Sequence, residues 1–449
     1  MSKLVEIDIH DLAYDGKAVG KIDGKVVFLN GGLPGERVLA EITRRKARYD
    51  EARVREILSR SDDRVPAVCT HFDHCGGCAW QDLAYERQLQ YKQKQVEDCL
   101  TRIAGLKEIT VAPIIGCEET FFYRNKMEFS FMAGEDGGFT LGLHRRGRFD
   151  EIFDLQACHL ESEQSNRIIA LVREFVKEHS IPVYDVKRHT GFMRFLVIRE
   201  GKNTDQIMVN IVTNYGDLPH QSELIDRLTD AVPEVVTIVH NQNGQKSNIA
   251  VGETETILFG PGYIEETIHG CRFRIRANSF FQTNTHQAEK LYTLALSHLD
   301  PETDKTILDL YCGGGAIGIL AARKVQQVIG IESVSDAVRA AQENAALNQC
   351  QNISFIRGEV RQVLREKRAL LPECQALIVD PPRSGLHPKA LRQILELGVP
   401  KIVYVSCNPA TFARDAGLLT KAGYRMDTVQ PVDMFPHTRH IELVTCFRR

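Results

Sequence analysis

Long apolar runs are what this 449-residue chain most lacks. None approaches the roughly 20 residues that a membrane-spanning helix requires. The first residues, Met1 to Asp8, carry charge where a secretion signal needs an apolar core, so a cytoplasmic protein without a membrane partner is expected. Strong net charge is missing too. With 56 Lys and Arg against 59 Asp and Glu, the formal charge is −3. That balance gives no global attraction to a polyanion, so any nucleic-acid contact must come from local patches. The chain has no internal repeat and no low-complexity tract, which sets aside solenoids, propellers and disordered linkers. Nothing points to an obligate protein partner.

Cysteine, by contrast, is plentiful: there are twelve. Without a secretion signal they fit a reducing compartment, where clustered cysteines suggest metal or catalysis rather than disulfides. Cys407 is the most informative. It follows Lys401-Ile-Val-Tyr-Val, which reads as a buried strand, so the thiol lies at the carboxyl end where open parallel sheets bind ligands. Asn408 and Pro409 then read as a helix N-cap and first helical position. A thiol just ahead of a helix N-terminus feels a positive partial charge, which favours the thiolate.

Residues 1–60 read as short strands punctuated by Asp15-Gly16, Asp23-Gly24 and Asn30-Gly31-Gly32. The pattern is that of a small OB-like β-barrel, a frequent nucleic-acid platform. Between Arg37 and Arg60, eight Lys or Arg stand against four Asp or Glu, densest in Thr43-Arg-Arg-Lys-Ala-Arg-Tyr. A helix is expected from about Leu83 to Ile103, with Tyr85, Leu89, Val96, Cys99, Leu100 and Ile103 near one face. A mixed, mostly β region follows from about Pro113 to Gly270, with the basic stretches Tyr123-Arg-Asn-Lys-Met and His144-Arg-Arg-Gly-Arg-Phe. From residue 271 strand, glycine or proline loop, and helix alternate, the rhythm of a doubly wound α/β sheet. Three parts are therefore expected: 1–60, a central β-rich α+β domain at 61–270, and a Rossmann-like domain at 271–449. The helix at 83–105 is expected to pack on the last of these.

Thr306-Ile-Leu-Asp-Leu-Tyr reads as a strand feeding the glycine loop Cys312-Gly-Gly-Gly-Ala-Ile-Gly. Gly313, Gly315 and Gly318 satisfy G-x-G-x-x-G, and Glu332 ends the next strand, where an acid can accept bonds from ribose hydroxyls. The motif fits a dinucleotide or S-adenosylmethionine (SAM) equally. Asp380, in Asp380-Pro-Pro-Arg-Ser-Gly, and Cys407 end the following strands. A nucleophilic cysteine beside a nucleoside cofactor suits a transferase that must activate an unreactive carbon better than an NAD-dependent oxidoreductase.

Four segments now coincide: Phe280-Phe-Gln-Thr-Asn, Asp309-Leu-Tyr-Cys-Gly-Gly-Gly, Asp380-Pro-Pro-Arg-Ser-Gly, and Ser406-Cys-Asn-Pro followed by His440-Ile-Glu. Together they resemble the SAM-dependent uracil-C5 RNA methyltransferases, which form 5-methyluridine in ribosomal or transfer RNA. The resemblance covers nearly the whole chain and makes the N-terminal part similar to a TRAM domain, an RNA-binding module. It implies Cys407 as the nucleophile that adds to uracil C6, and Glu442 as the base that removes the C5 proton. It implies Gln282, Tyr311, Glu332, Glu359 and Asp380 as SAM contacts, with Asp380 alternatively touching the uracil edge. Ala316 stands where some members have Asn or Thr, so only its backbone can serve there. Large-subunit (23S) ribosomal RNA is the substrate expected from the TRAM and cysteine arrangement, with transfer RNA as the alternative. A non-catalytic RNA-binding iron–sulfur protein is the rival reading.

Cys69-x5-Cys75-x2-Cys78 brings three thiols within ten residues. Such a set suits an iron–sulfur cluster or structural zinc, and His71, His74 and His159 keep zinc in view. The resemblance implies a [4Fe–4S] cluster with Cys158 as the fourth ligand.

Overall fold

Alternating inward and outward side chains shape the first fifty-odd residues. The computed structural model describes residues 4–13, 16–134, 138–148, 150–368 and 371–449. Asp15 of the first expected turn and Phe149 of the basic stretch lie outside them. Strands β1 (Leu4–Leu12), β2 (Ala18–Ile22), β3 (Lys25–Asn30), β4 (Arg37–Arg45) and β5 (Tyr49–Ser59) close into a barrel of order β1-β2-β3-β5-β4. Ile7, Ile9, Val27, Leu29, Val38 and Ala52 fill its interior, and Trp80 and Leu83 from the following segment pack onto the same core. The β2–β3 turn uses left-handed backbone at Asp23 and Gly24, as the tight reversal requires.

Residues 60–84 form no regular element. Helix α1 (Tyr85–Cys99) follows and runs into a π-helical turn at Leu100–Ala104. Its face differs from the apolar reading. Gln88, Lys92 and Gln95 are buried alongside Val96 and Cys99, whereas Ile103, beyond the change of helical pitch, is exposed. Lys92 pairs with Asp433 far along the chain, Gln88 binds the Trp80 and Leu83 carbonyls and the His437 N–H, and Gln95 Oε1 has no hydrogen-bond partner among the described residues.

The central region has strands β6 (Lys126–Ala133), β7 (Phe139–His144) and β8 (Ile152–Asp154), helix α2 (Glu163–Glu178), and strands β9 (Met193–Glu200) and β10 (Ile207–Thr213). Helix α3 (Gln221–Ala231) and strands β11 (Val235–Gln242) and β12 (Thr254–Phe259) complete it. The seven strands form one sheet of order β12-β11-β10-β9-β6-β7-β8. Every residue of β9 and β10 is buried, because α2 and α3 cover one face and the hairpin β13 (Tyr263–Ile268) with β14 (Cys271–Arg276) covers part of the other.

The last region supplies α4 (Thr285–Ser297), β15 (Thr306–Leu310), α5 (Ala316–Ala322), β16 (Gln327–Glu332), α6 (Ser335–Leu347) and β17 (Ile353–Arg357). Then come α7 (Val360–Glu366), β18 (Ala376–Val379), α8 (Pro388–Leu397), β19 (Lys401–Ser406), α9 (Pro409–Lys421), β20 (Arg425–Met426), β21 (Gln430–Val432) and β22 (Glu442–Arg448). The sheet runs β17-β16-β15-β18-β19-β22-β20, parallel as far as β19 and antiparallel at β22. Helices α7, α8 and α9 cover one face, joined by Val96, Cys99 and Leu100 from the end of α1; α4, α5 and Ala345 of α6 cover the other. The chain winds outward from β15 to β17, then returns to β18. This reversal opens a crevice at the carboxyl ends of β15 and β18, where Rossmann-like sheets bind their ligands. No helix among the described residues is long and apolar enough to cross a membrane.

Candidate active site

The glycine loop sits at that crevice. Tyr311 opens it with a left-handed backbone (φ 64°), held by its N–H donating to the Ile331 carbonyl at 2.9 Å. A β-carbon added to Gly313 would meet no atom within 4 Å, so the loop faces open space. Gly318 serves a different end. A β-carbon there would lie 2.7 Å from Oδ2 of Asp309, so glycine lets α5 sit tightly on β15. Glu332, at the tip of β16, accepts from the Gly313 N–H at 3.2 Å and from the Val334 N–H at 2.8 Å. Glu359 is the N-cap of α7 and pairs with Arg361 at 2.6 Å. Tyr311 lies among Asp415, Glu359, Arg361 and Glu332; burial pushes its hydroxyl up to about 12. The loop, the acid and an aromatic thus share one edge and fit a nucleoside with a ribose: a flat group on Tyr311, hydroxyls toward Glu332.

The second half of the crevice is formed where β19 meets β22. Ser406 pairs with Leu443 in register, so Cys407, one residue on, comes beside Glu442. Asn408 caps α9 by accepting from the N–H groups of Ala410 at 3.0 Å and Thr411 at 3.3 Å. Pro409 takes the first helical turn. Glu442 is not an exposed strand carboxylate; it is 4% exposed. Burial, and then Asp380, hold it well above the usual carboxylate range, while Arg383 pulls it down. Asp380, half-buried at the end of β18, is pushed by burial to about 6. Cys407 departs from the expectation of a thiolate. Burial first, then Glu442 and Asp380, push its thiol up to about 12, and Arg383 offsets only part. The partial charge of one helix end acts within a turn and is outweighed by desolvation and two nearby carboxyls.

The loop that delivers Glu442 is fastened from several sides. Lys92 and Asp433, both wholly buried, pair at 2.6 Å, and Tyr85 donates to the other oxygen of Asp433 at 2.9 Å. Gln287 donates to the Asp433 carbonyl at 2.7 Å and Asn284 to that of Met434 at 3.0 Å. The N–H groups of Ala79 and Trp80 both donate to the His437 carbonyl, at 2.7 and 3.0 Å. Gln282, nine-tenths buried, has its carbonyl held by Asn125 Nδ2 at 2.9 Å, which ties the Phe280–Asn284 loop to the central sheet. Neither Asn125 nor Lys92 had a signal in local sequence; each is a buried polar residue whose partners come from other regions.

Comparison with known proteins decides what this crevice belongs to. Residues 84–449 match the tRNA (uracil-5-)-methyltransferase family model, and residues 3–54 match the TRAM domain. The chain belongs to the tRNA (uracil-5-)-methyltransferase family. It is a SAM-dependent RNA methyltransferase acting at uracil C5. It is 42% identical to an uncharacterized RNA methyltransferase of Chlorobaculum tepidum, covering 99% of this chain and 96% of that protein. A second such protein, from Halalkalibacterium halodurans, is 40% identical over 98% and 96%. Among solved structures, the tRNA (uracil-54, C5)-methyltransferase of Pyrococcus abyssi in complex with S-adenosyl-L-homocysteine superposes with a TM-score of 0.80. It is 31% identical and matches over 99% of this chain and 100% of that one.

Away from the crevice, this methyltransferase gathers Cys69, Cys75, Cys78 and Cys158 in the core of the central sheet. Sulfurs there receive hydrogen bonds: Gly77 N–H to Cys75 Sγ at 3.3 Å and Gln81 Nε2 to Cys78 Sγ at 3.2 Å. Arg146 binds the carbonyls of Phe72 and Cys78, both at 2.9 Å. Burial raises the thiols of Cys75 and Cys78, so bare thiolates are disfavoured and a metal would be needed to ionise them. Four thiols gathered in one core are a donor set that either structural zinc or an iron–sulfur cluster can use.

Proposed function

We propose that Cys407 and Glu442 are the catalytic pair, and that the target is a uridine in structured RNA, 23S ribosomal RNA foremost. The observation that carries the proposal is their placement side by side across the β19–β22 step, next to the glycine loop. Gln282, Tyr311, Glu332 and Glu359 would hold SAM, which would supply the methyl group from its sulfonium and leave as S-adenosyl-L-homocysteine. Cys407 Sγ adds to C6 of the uracil as its proton passes to Asp380, the other carboxyl that faces it, so that Glu442 stays free for the later step. The addition pushes electron density onto C5, which takes the methyl group. Glu442 then accepts the C5 proton, the S–C6 bond breaks, and the thiolate is released. The position of Cys407, half-buried at the end of β19, requires the target base to leave any stack.

The four cysteines would hold a [4Fe–4S] cluster that the reaction does not use for electron transfer. Their segment, through Ala79 and Trp80, bonds the loop ahead of Glu442, so a structural role toward the active site follows. Transfer RNA is the second reading, favoured by the likeness to the Pyrococcus abyssi enzyme, which acts on tRNA uracil 54. Tritium release from RNA carrying 5-tritiated uridine, dependent on SAM, tests the chemistry. Mapping 5-methyluridine in the ribosomal and transfer RNA of a deletion strain tests the substrate: loss from 23S RNA supports the first reading, and loss from transfer RNA alone the second.

A further inference from the structure

Three acidic groups crowd the end of the sheet: the Cys407 thiol and the carboxyls of Asp380 and Glu442. Forming a thiolate among two carboxyls is unfavourable unless a cation is kept nearby. Arg383, three residues after Asp380, is the cation that acts on both Cys407 and Glu442. Yet Arg383 is exposed, and a free arginine side chain has many rotamers to lose on being fixed. Its backbone is fastened beside the nucleophile: its carbonyl accepts from Asn408 Nδ2 at 3.0 Å and from Thr411 Oγ1 at 3.3 Å. Its guanidinium is fastened by Nη2 donating to Nδ1 of His440 at 3.3 Å.

We propose that His440 is a positioning residue for methyl transfer: its Nδ1 holds the Arg383 guanidinium beside Cys407 and Glu442, where the cation stabilises the attacking thiolate. The proposal rests on Cys407 being the nucleophile. His440 suits this duty. Its own N–H donates to Thr438 Oγ1 at 3.2 Å, and its ring meets Phe435 edge-on with centroids 5.9 Å apart. Both contacts limit where the ring can turn. To accept from arginine, Nδ1 must be unprotonated, with the ring proton on Nε2. Burial, then the cations that face it, Arg383, Arg439, Lys92 and Arg124, keep it so down to about pH 4. The ring therefore remains an acceptor across any working pH and transfers no proton itself. It lies two residues ahead of Glu442, and the intervening Ile441 is buried in the core, so one short segment anchors both the base and the arginine's partner.

The test uses the full-length chain and peptide-resolved alkylation of Cys407 by iodoacetamide as a function of pH, without RNA. His440→Ala should raise the apparent pKa of Cys407 by about half to one unit, lowering its alkylation at fixed pH about three- to tenfold. His440→Gln, whose amide oxygen can accept the same bond, should titrate close to wild type. With SAM and RNA, His440→Ala should lower kcat about tenfold with little change in KM for SAM. The double variant with Arg383→Gln should be no worse than Arg383→Gln alone, because both remove one interaction. An unshifted Cys407 titration in His440→Ala, a glutamine variant as impaired as the alanine one, or multiplying defects in the double variant overturns the proposal. Where His440→Ala folds poorly, Arg383→Gln takes its place in the alkylation assay, and an unshifted titration there overturns it equally. Methyl transfer by Cys407→Ser at wild-type rate would instead remove the nucleophile reading on which the proposal rests.

Discussion

Cys407 and Glu442 reach each other because β19 and β22 run in opposite directions: Ser406 pairs with Leu443, and the next residue of one strand meets the preceding residue of the other. A parallel neighbour would have left Glu442 at the far end of the sheet. The antiparallel step is thus what brings a thiol and a carboxyl to the same edge as the glycine loop. Cys407→Ala should abolish turnover while SAM binding, measured by calorimetry, persists. Methylation near the wild-type rate would remove the covalent route.

Glu442→Gln keeps the shape and loses the base. Addition to C6 and methyl transfer do not need that base, whereas elimination does. An enzyme–RNA adduct that survives denaturation should therefore accumulate on gels. Normal turnover without adduct would assign proton removal to another group, with Asp380 the next carboxyl in the crevice.

Much of this arrangement was legible in the chain, and the parts that were not share a cause. The barrel was readable from alternating side chains and from Asp23-Gly24, whose left-handed backbone the turn demands. The glycine loop and the strand-end position of Cys407 were readable because both are local patterns. The ionisation of Cys407 was misread because the helix end is local while Glu442 and Asp380 arrive from other strands. The inward face of α1 was misread likewise. Apolar periodicity passes over Lys92, whose partner Asp433 lies 341 residues away.

That pair yields a stability prediction. Lys92→Met removes a cation and leaves Asp433 buried without its charge partner. Breaking a buried ion pair from one side costs about 3–5 kcal/mol. The variant should melt well below wild type, and hydrogen exchange should rise around residues 433–440 ahead of Glu442. Wild-type melting would show that Tyr85 and the Phe435 N–H suffice for Asp433.

Asp309 gives a pH dependence of definite sign. Burial, then Asp380, push its carboxyl up to about 8, and its Oδ2 has no hydrogen-bond partner. The folded protein keeps this proton to about pH 8, while the unfolded chain releases it near the ordinary value of about 4. The contribution to stability is therefore full below about pH 4 and lost as pH rises to about 8, on the order of a few kcal/mol in all. Asp309→Asn has no proton to release. In the absence of SAM its melting temperature should exceed wild type at pH 8.5 and lose that advantage by pH 4. Parallel curves for the two proteins would place the ionisation of Asp309 in the ordinary range.

Iron content distinguishes the two metals that four cysteines can hold. Anaerobically purified protein should be brown, with about four iron per chain and little zinc, as a Cys₄-bound [4Fe–4S] cluster requires. Cys158→Ala should lose the colour and the iron. Colourless protein with one zinc would reverse the assignment, and full iron in Cys158→Ala would place the fourth ligand elsewhere.

The barrel hairpin is the remaining candidate for RNA contact. Arg44, Arg45 and Arg48 are exposed at the β4–β5 end, with Lys46 half-buried between them, far in sequence from the SAM loop. Phosphate contacts release counterions, so affinity for RNA should fall steeply with salt. Neutralising the four residues should flatten that slope by somewhat less than one unit for each phosphate left without a cation. Removing residues 1–60 should weaken RNA binding far more than SAM binding. It should also expose Trp80 and Leu83, which pack on the barrel core, so the fourfold surface variant is the cleaner experiment. In the fourfold variant, chemistry on a short stem-loop at saturation should change little, because the four side chains lie on the barrel whereas Cys407, Glu442 and the glycine loop lie on the sheet after residue 300. An unchanged salt slope in the fourfold variant would make the hairpin a solvated face and move the RNA track to Arg124, Lys126 and Arg145 of the central sheet.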